Sequence, residues 1–170
     1  MKKSFTLVEF LVAISIALLL IVSSVIVFSR SSNISAAKTD AEQLSTLISK
    51  ARNYAANPED ENAKGYGVKF VNEKTAEIYK FLPESTSEEL LNPPDTLVLT
   101  NSKMSNFGYV FFEVPSGKYS NSSNESKIIG FTSKKKFFSP ESTAVLTIGP
   151  NGETSITTDS SPTPTQTVNP

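Results

Sequence analysis

From Phe10 to Ser29 the chain runs for twenty residues without a charge, a proline or a glycine. Only Ser15, Ser23, Ser24 and Ser29 interrupt its apolar character. Twenty helical residues rise about 30 Å, the thickness of a bilayer's hydrocarbon core. Length and content together predict a transmembrane helix over about residues 8–29. Lys2 and Lys3 stand on its N-terminal side. That asymmetry predicts a single pass through the cytoplasmic membrane, with the N-terminus in the cytoplasm and the C-terminal bulk outside.

The helical pattern continues past the apolar run. Ile34, Ala37, Ala41, Leu44, Leu47, Ile48, Ala51 and Ala55 recur at intervals of three and four. Lys38, Asp40, Glu42, Gln43, Lys50 and Arg52 are assigned to the other faces. This is an amphipathic helix over about residues 33–56. Pro58 and the acidic run after it end the helix. One helix over residues 5–56 is roughly 75 Å long. Its first half needs lipid or other helices, and its second half needs a soluble domain.

Beyond it the pattern changes to short β-rich runs. Gly65 to Val71 and Thr75 to Phe81 read as two strands joined by a turn at Asn72 to Lys74. Leu82 to Asp95, with three prolines, reads as a loop. Thr96 to Thr100, Tyr109 to Val114 and Lys127 to Thr132 read as strands, and Ser116 to Asn124 as a mobile loop. Ala144 to Ile148 and Glu153 to Thr157 flank Pro150-Asn151-Gly152, and Asn-Gly between alternating runs is a hairpin signal. The expected fold class is α+β: one long helix packed on an antiparallel β domain over residues 64–158. A Ser/Thr/Pro-rich tail at 159–170 is expected to be disordered.

The chain has no cysteine and no histidine. That removes disulfides, thiolate nucleophiles, Ser-His-Asp catalysis and imidazole or sulfur metal ligation. No nucleophile has an evident activating base. The carboxylates fall in short runs such as Glu59-Asp60-Glu61 and Glu88-Glu89, which read as solvated loops. The reading is therefore of a chain that is not an enzyme and has no cofactor and no metal.

The chemistry lies in Lys2-Lys3-Ser4-Phe5-Thr6-Leu7-Val8-Glu9-Phe10-Leu11. A small residue precedes a phenylalanine, and a glutamate follows four residues later. A carboxylate at the entry to an apolar helix is costly in lipid and calls for a partner. Cutting the Ser4–Phe5 bond creates an amine on Phe5, one helical turn from Glu9. This stretch resembles the class III signal of type IV prepilins and type II secretion pseudopilins. The resemblance implies residues 1–4 as a leader removed by a prepilin peptidase, which also N-methylates Phe5. It implies Glu9 as the carboxylate that neutralises a neighbour's N-terminus during assembly. Ser4 stands where the family commonly has glycine. The implied partners are the peptidase, other pilin or pseudopilin subunits joined through the helix, and an inner-membrane assembly platform.

The helix end from Gln43 to Ala55, with Ala51-Arg52, resembles that of H-type pseudopilins and related minor pilins. Phe112 to Gly117 and Leu146 to Thr154 resemble the same subgroup more loosely. The resemblance implies a structural or priming subunit, either a minor pilin or a pseudopilin, of a type IV pilus or a type II secretion pseudopilus. An alternative is a minor pilin whose outer domain binds DNA or another ligand for uptake or adhesion. Lys134, Lys135 and Lys136 followed by Phe137 and Phe138 combine cations that hold phosphates with rings that stack bases. The same residues also read as a solvated loop with two core phenylalanines.

Overall fold

The computed structural model describes residues 7–60, 62–82, 88–91, 94–105, 108–120, 126–133 and 141–159. One helix, α1 (Leu7–Ala56), runs for 50 residues without a break. Neither proline nor glycine lies within it, so no i to i−4 bond is lost along its length. The Asn57 amide still donates to the Asn53 carbonyl at 2.9 Å. Pro58 has no amide to continue the ladder.

Among the described residues ten strands follow: β1 (Gly65–Phe70), β2 (Thr75–Phe81), β3 (Glu88–Leu90), β4 (Thr96–Val98), β5 (Lys103–Met104), β6 (Tyr109–Glu113), β7 (Lys118–Ser120), β8 (Lys127–Ser133), β9 (Ser142–Ile148) and β10 (Thr154–Asp159). Every pairing is antiparallel. One sheet has the order β3-β2-β1-β6-β7, and the other β10-β9-β8-β5. The short strands β3 and β4 share the outer edge of β2 end to end. Leu90 pairs with Tyr79, and Val98 with Thr75.

Helix α1 packs on strands of both sheets. Its buried stripe is Asn33, Ala36, Ala37, Asp40, Ala41, Leu44, Ile48, Ala51 and Ala55. The alanines bring the backbone close to the sheets, while Leu44 and Ile48 fill the space between them. Strand residues alternate in the usual period of two. Tyr66, Val68 and Phe70 of β1, Val110 and Phe112 of β6, Ile129 and Phe131 of β8, and Ala144, Leu146 and Ile148 of β9 form the buried core with the helix. Each fully buried aliphatic or aromatic side chain contributes about 1.5–3 kcal/mol.

Two turns need glycine. Gly152, at φ +79°, closes the β9–β10 turn by donating to the Gly149 carbonyl at 2.9 Å. Gly117, at φ +61°, ends the β6–β7 turn against the helix. A Cβ there would lie 3.1 Å from Cβ of Ala56 and 3.2 Å from the Arg52 carbonyl.

The structure corrects the sequence reading at several points. Leu82 to Asp95 is not all loop, because β3 forms within it on the exposed half of the β2 edge. The expected mobile loop at Ser116 to Asn124 contains β7, which pairs with β6 through Tyr119 and Phe112. The rest of that stretch, 121–124, lies outside the described residues. Asp40, assigned to an outer helix face, is fully buried. Ile34 and Leu47 lie at the margin of the packed stripe, half-buried. Strand β10 extends through Asp159, where the tail was expected to begin. Residues 160–170 lie outside the described residues.

Candidate functional site along the helix

Among the described residues, none of the β domain covers the first half of α1. From Leu7 to Phe28 every large apolar side chain is exposed, from 44 % for Ile14 to 78 % for Leu7. The most apolar stretch has a mean hydropathy of 3.0, and none of it is buried. Such a helix is long and apolar enough to cross a membrane. Its serines do not spoil it. The hydroxyls of Ser15, Ser23 and Ser24 each donate to the carbonyl four residues earlier, at 2.8–2.9 Å. Those bonds remain intact in lipid, where an unmet polar group would cost several kcal/mol, roughly.

Glu9 sits in the first turn of α1. Acidic side chains there are favoured by the positive end of the helix dipole. Ser4 and Phe5, the candidate processing residues, lie outside the described residues. So do Lys134, Lys135, Lys136, Phe137 and Phe138. The strands that flank this lysine run are described. Ser133, at the end of β8, is buried and donates to the Asn101 carbonyl at 3.0 Å.

The second half of α1 is clasped to the domain at two points. At the first, buried Asp40 accepts from the β4–β5 loop. The Ser102 amide and hydroxyl reach its Oδ2 at 2.8 and 2.7 Å, and the Asn101 amide reaches the same oxygen at 3.2 Å. The Asn101 side-chain amide donates to Oδ1 at 3.3 Å. Charge-assisted bonds of this kind hold a buried carboxylate that would otherwise be costly. At the second, the direction reverses. Asp95, just before β4, accepts from Lys50 Nζ at 2.6 Å and from the Tyr54 hydroxyl at 3.0 Å. That bond raises the Lys50 pKa above its ordinary value. Burial, and then the bond to Asp95, raises that of Tyr54. The segment from Asp95 to Ser102 therefore lies antiparallel along the helix, tied at both ends.

Elsewhere Lys80 bridges Asp60 at 3.0 Å and Glu89 of β3 at 3.1 Å, which raises its pKa. The same bond lowers the pKa of Asp60. Among the described residues, no three carboxylates converge to hold a metal ion.

Sequence reasoning missed both clasps. For Asp40 a signal was present. It stands three residues after Ala37 and four before Leu44, on the packed stripe itself. A carboxylate there requires donors from the domain. For Asp95 no local signal exists, because its partners lie 45 and 41 residues away.

This arrangement was compared with known structures. It is similar to the crystal structure of the type IV minor pilin FimU of Pseudomonas aeruginosa, with a TM-score of 0.50. The chain has the type IV pilin fold. The match covers 73 % of this chain and 98 % of that one at 12 % identity, so the likeness is one of fold. No family model and no curated protein matches the sequence. In the pilin fold, as here, a long N-terminal helix packs on an antiparallel β domain.

Proposed function

We propose that this chain is a structural or priming subunit, a minor pilin or pseudopilin, of a type IV pilus or type II secretion pseudopilus. One observation carries the reading. A pilin-fold domain holds the second half of α1, while the same helix continues as an apolar rod that nothing among the described residues covers. Exposed apolar area on that scale is paid for only by lipid or by other helices. A single pass anchors the subunit in the cytoplasmic membrane, with the β domain outside. A prepilin peptidase cuts between Ser4 and Phe5 and methylates the new amine. Glu9 neutralises the amine of a neighbouring subunit as the helix enters the filament. The helix end around Ala51-Arg52 favours the H-type pseudopilin and related minor pilin subgroup. The subunit performs no chemistry of its own.

The test is to express the full chain with and without a prepilin peptidase and to measure intact mass. Loss of residues 1–4 with one added methyl group on Phe5 supports the reading. An uncut mass, with a control prepilin processed in the same cells, would sink it. For the cleaved product, Glu9→Ala should abolish incorporation into filaments while the β domain stays folded.

A further inference from the structure

We infer that residues 161–169 of one copy of this chain add as a strand to the open edge of β10 in a second copy. Strand β10 is the outermost of its sheet, and its 6 residues pair with β9 without a break. The other edge strands, β3, β4, β5 and β7, are each 2 or 3 residues long. Natural sheets blunt a long edge with lysine, proline or a bulge. The run from Thr154 to Asp159 has neither lysine nor proline. The Thr154 and Ser45 hydroxyls are bonded at 2.7 Å, which fixes the strand to α1. The turn decides which groups face outward. The Gly149 amide donates to the Glu153 carbonyl at 2.8 Å. Bonded and non-bonded pairs alternate along an antiparallel ladder, so Ser155, Thr157 and Asp159 bond β9. The amides and carbonyls of Thr154, Ile156 and Thr158 then point away from it. Among the described residues, none bonds that side of β10.

The segment after β10 carries the complementary pattern. Ser161, Thr163, Thr165, Thr167 and Asn169 all have an amide, whereas Pro162, Pro164 and Pro170 alternate with them and have none. Residues two apart turn their backbone groups to the same side of a strand. One edge of this strand therefore offers donors throughout, and the other lacks them at its prolines. Proline is accepted in an edge strand when its missing N–H faces solvent. The threonines favour a strand once it is paired. The proline-blocked outer edge also stops a further strand from adding. Thr163, Thr165 and Thr167 then face Thr158, Ile156 and Thr154. The connection selects a second copy as the donor. A tight return onto the same edge needs positive φ, which glycine or asparagine supplies. Between Asp159 and Pro162 stand only Ser160 and Ser161, and Pro162 biases Ser161 toward extended backbone. The sequence therefore favours continuation past its own edge. Donation of this kind is heterologous, an open head-to-tail contact that suits a filament. It goes beyond the subunit reading and requires neither cleavage at Ser4 nor Glu9.

The chain contains no cysteine, so introduced ones report alone. Two differently tagged full chains are co-expressed in one membrane and oxidised. One carries Ser155→Cys, at an exposed position of β10, and the other carries Gln166→Cys. With Thr165 opposite Ile156, these two side chains are direct neighbours on one face of the sheet. A disulfide should join the two tags. Thr165→Cys in place of Gln166→Cys should give none, because its side chain lies on the other face. Proline supplies a second readout. Added to the Gln166→Cys chain, Thr165→Pro removes an amide aimed at β10 and should abolish the cross-link. Val168→Pro, on the edge already blocked, should leave it intact. No cross-link, equal yields at positions 165 and 166, or equal effects of the two prolines overturns the inference. So does a disulfide that forms within one chain carrying both cysteines but not between the tags, because the segment would then pair with its own edge. The assay reads uncleaved chains, so its failure and a failure of processing at Ser4 are scored separately.

Discussion

The two halves of α1 share one backbone and one hydrogen-bond ladder, yet they solve opposite problems. Residues 7–28 present apolar side chains in every direction and bury none. Residues 33–56 bury one stripe that includes a carboxylate and an asparagine, and expose lysines, glutamate and hydroxyls elsewhere. Helix formation therefore says little about role. Environment decides it. The first half is stable only where water is absent, and the second only where a particular domain supplies Leu44 with a core and Asp40 with donors.

The contrast breaks most visibly under one substitution made in both halves. Leu44→Ala should cost about 2–5 kcal/mol, because the cavity in the core cannot fully collapse. Leu19→Ala should leave domain stability unchanged, since that side chain touches nothing in the domain. Urea unfolding of the detergent-solubilised chain, followed by near-UV circular dichroism, reads both. Equal losses would mean that the halves are not independent.

Asp40→Ala comes next. It leaves the Asn101 and Ser102 amides and the Ser102 hydroxyl without their acceptor, at about 2–3 kcal/mol. Hydrogen exchange at those two amides should accelerate before the rest of the domain opens. Unchanged exchange would make the clasp a bystander. Gly117→Ala should cost about 1–2 kcal/mol, because an L side chain at positive φ is strained and this one also meets the helix end. Thermal unfolding measures it.

The smallest effect is electrostatic. The pKa values of Lys50 and Tyr54 are both raised by folding. Their contributions are complete below their unfolded values and are lost as pH rises through the folded ones. Stability should therefore begin to fall above pH 10.0, the ordinary tyrosine value, and fall further above 10.5, the ordinary lysine value. Asp95→Asn should flatten that alkaline slope relative to the parent protein, by comparison of unfolding midpoints across pH.

Much of this architecture is legible along the chain. The apolar run, the alanine stripe and the Pro58 stop are periodic or local signals, and they yield α1 almost to the residue. Asn151-Gly152 yields the last hairpin, because positive φ is required there. The strands β3 and β7 were not legible. Each is three residues long, and each exists only because a longer neighbour offers an unpaired edge. The reading of Ser4, Phe5 and Glu9 rests on a local resemblance to the class III prepilin signal. The clasps do not, since their partners are scattered through the chain.

By itself the sequence determined that this protein has a helix too long and too apolar for its own domain, followed by antiparallel strands. Periodicity and composition carry that information within a few turns of chain. Only the tertiary structure decided that Asp40 faces inward and that the segment from Asp95 to Ser102 straps the helix down. The donors to Asp40 lie 61 and 62 residues away. A buried charge is tolerated only where such donors converge, and convergence is a property of the folded chain.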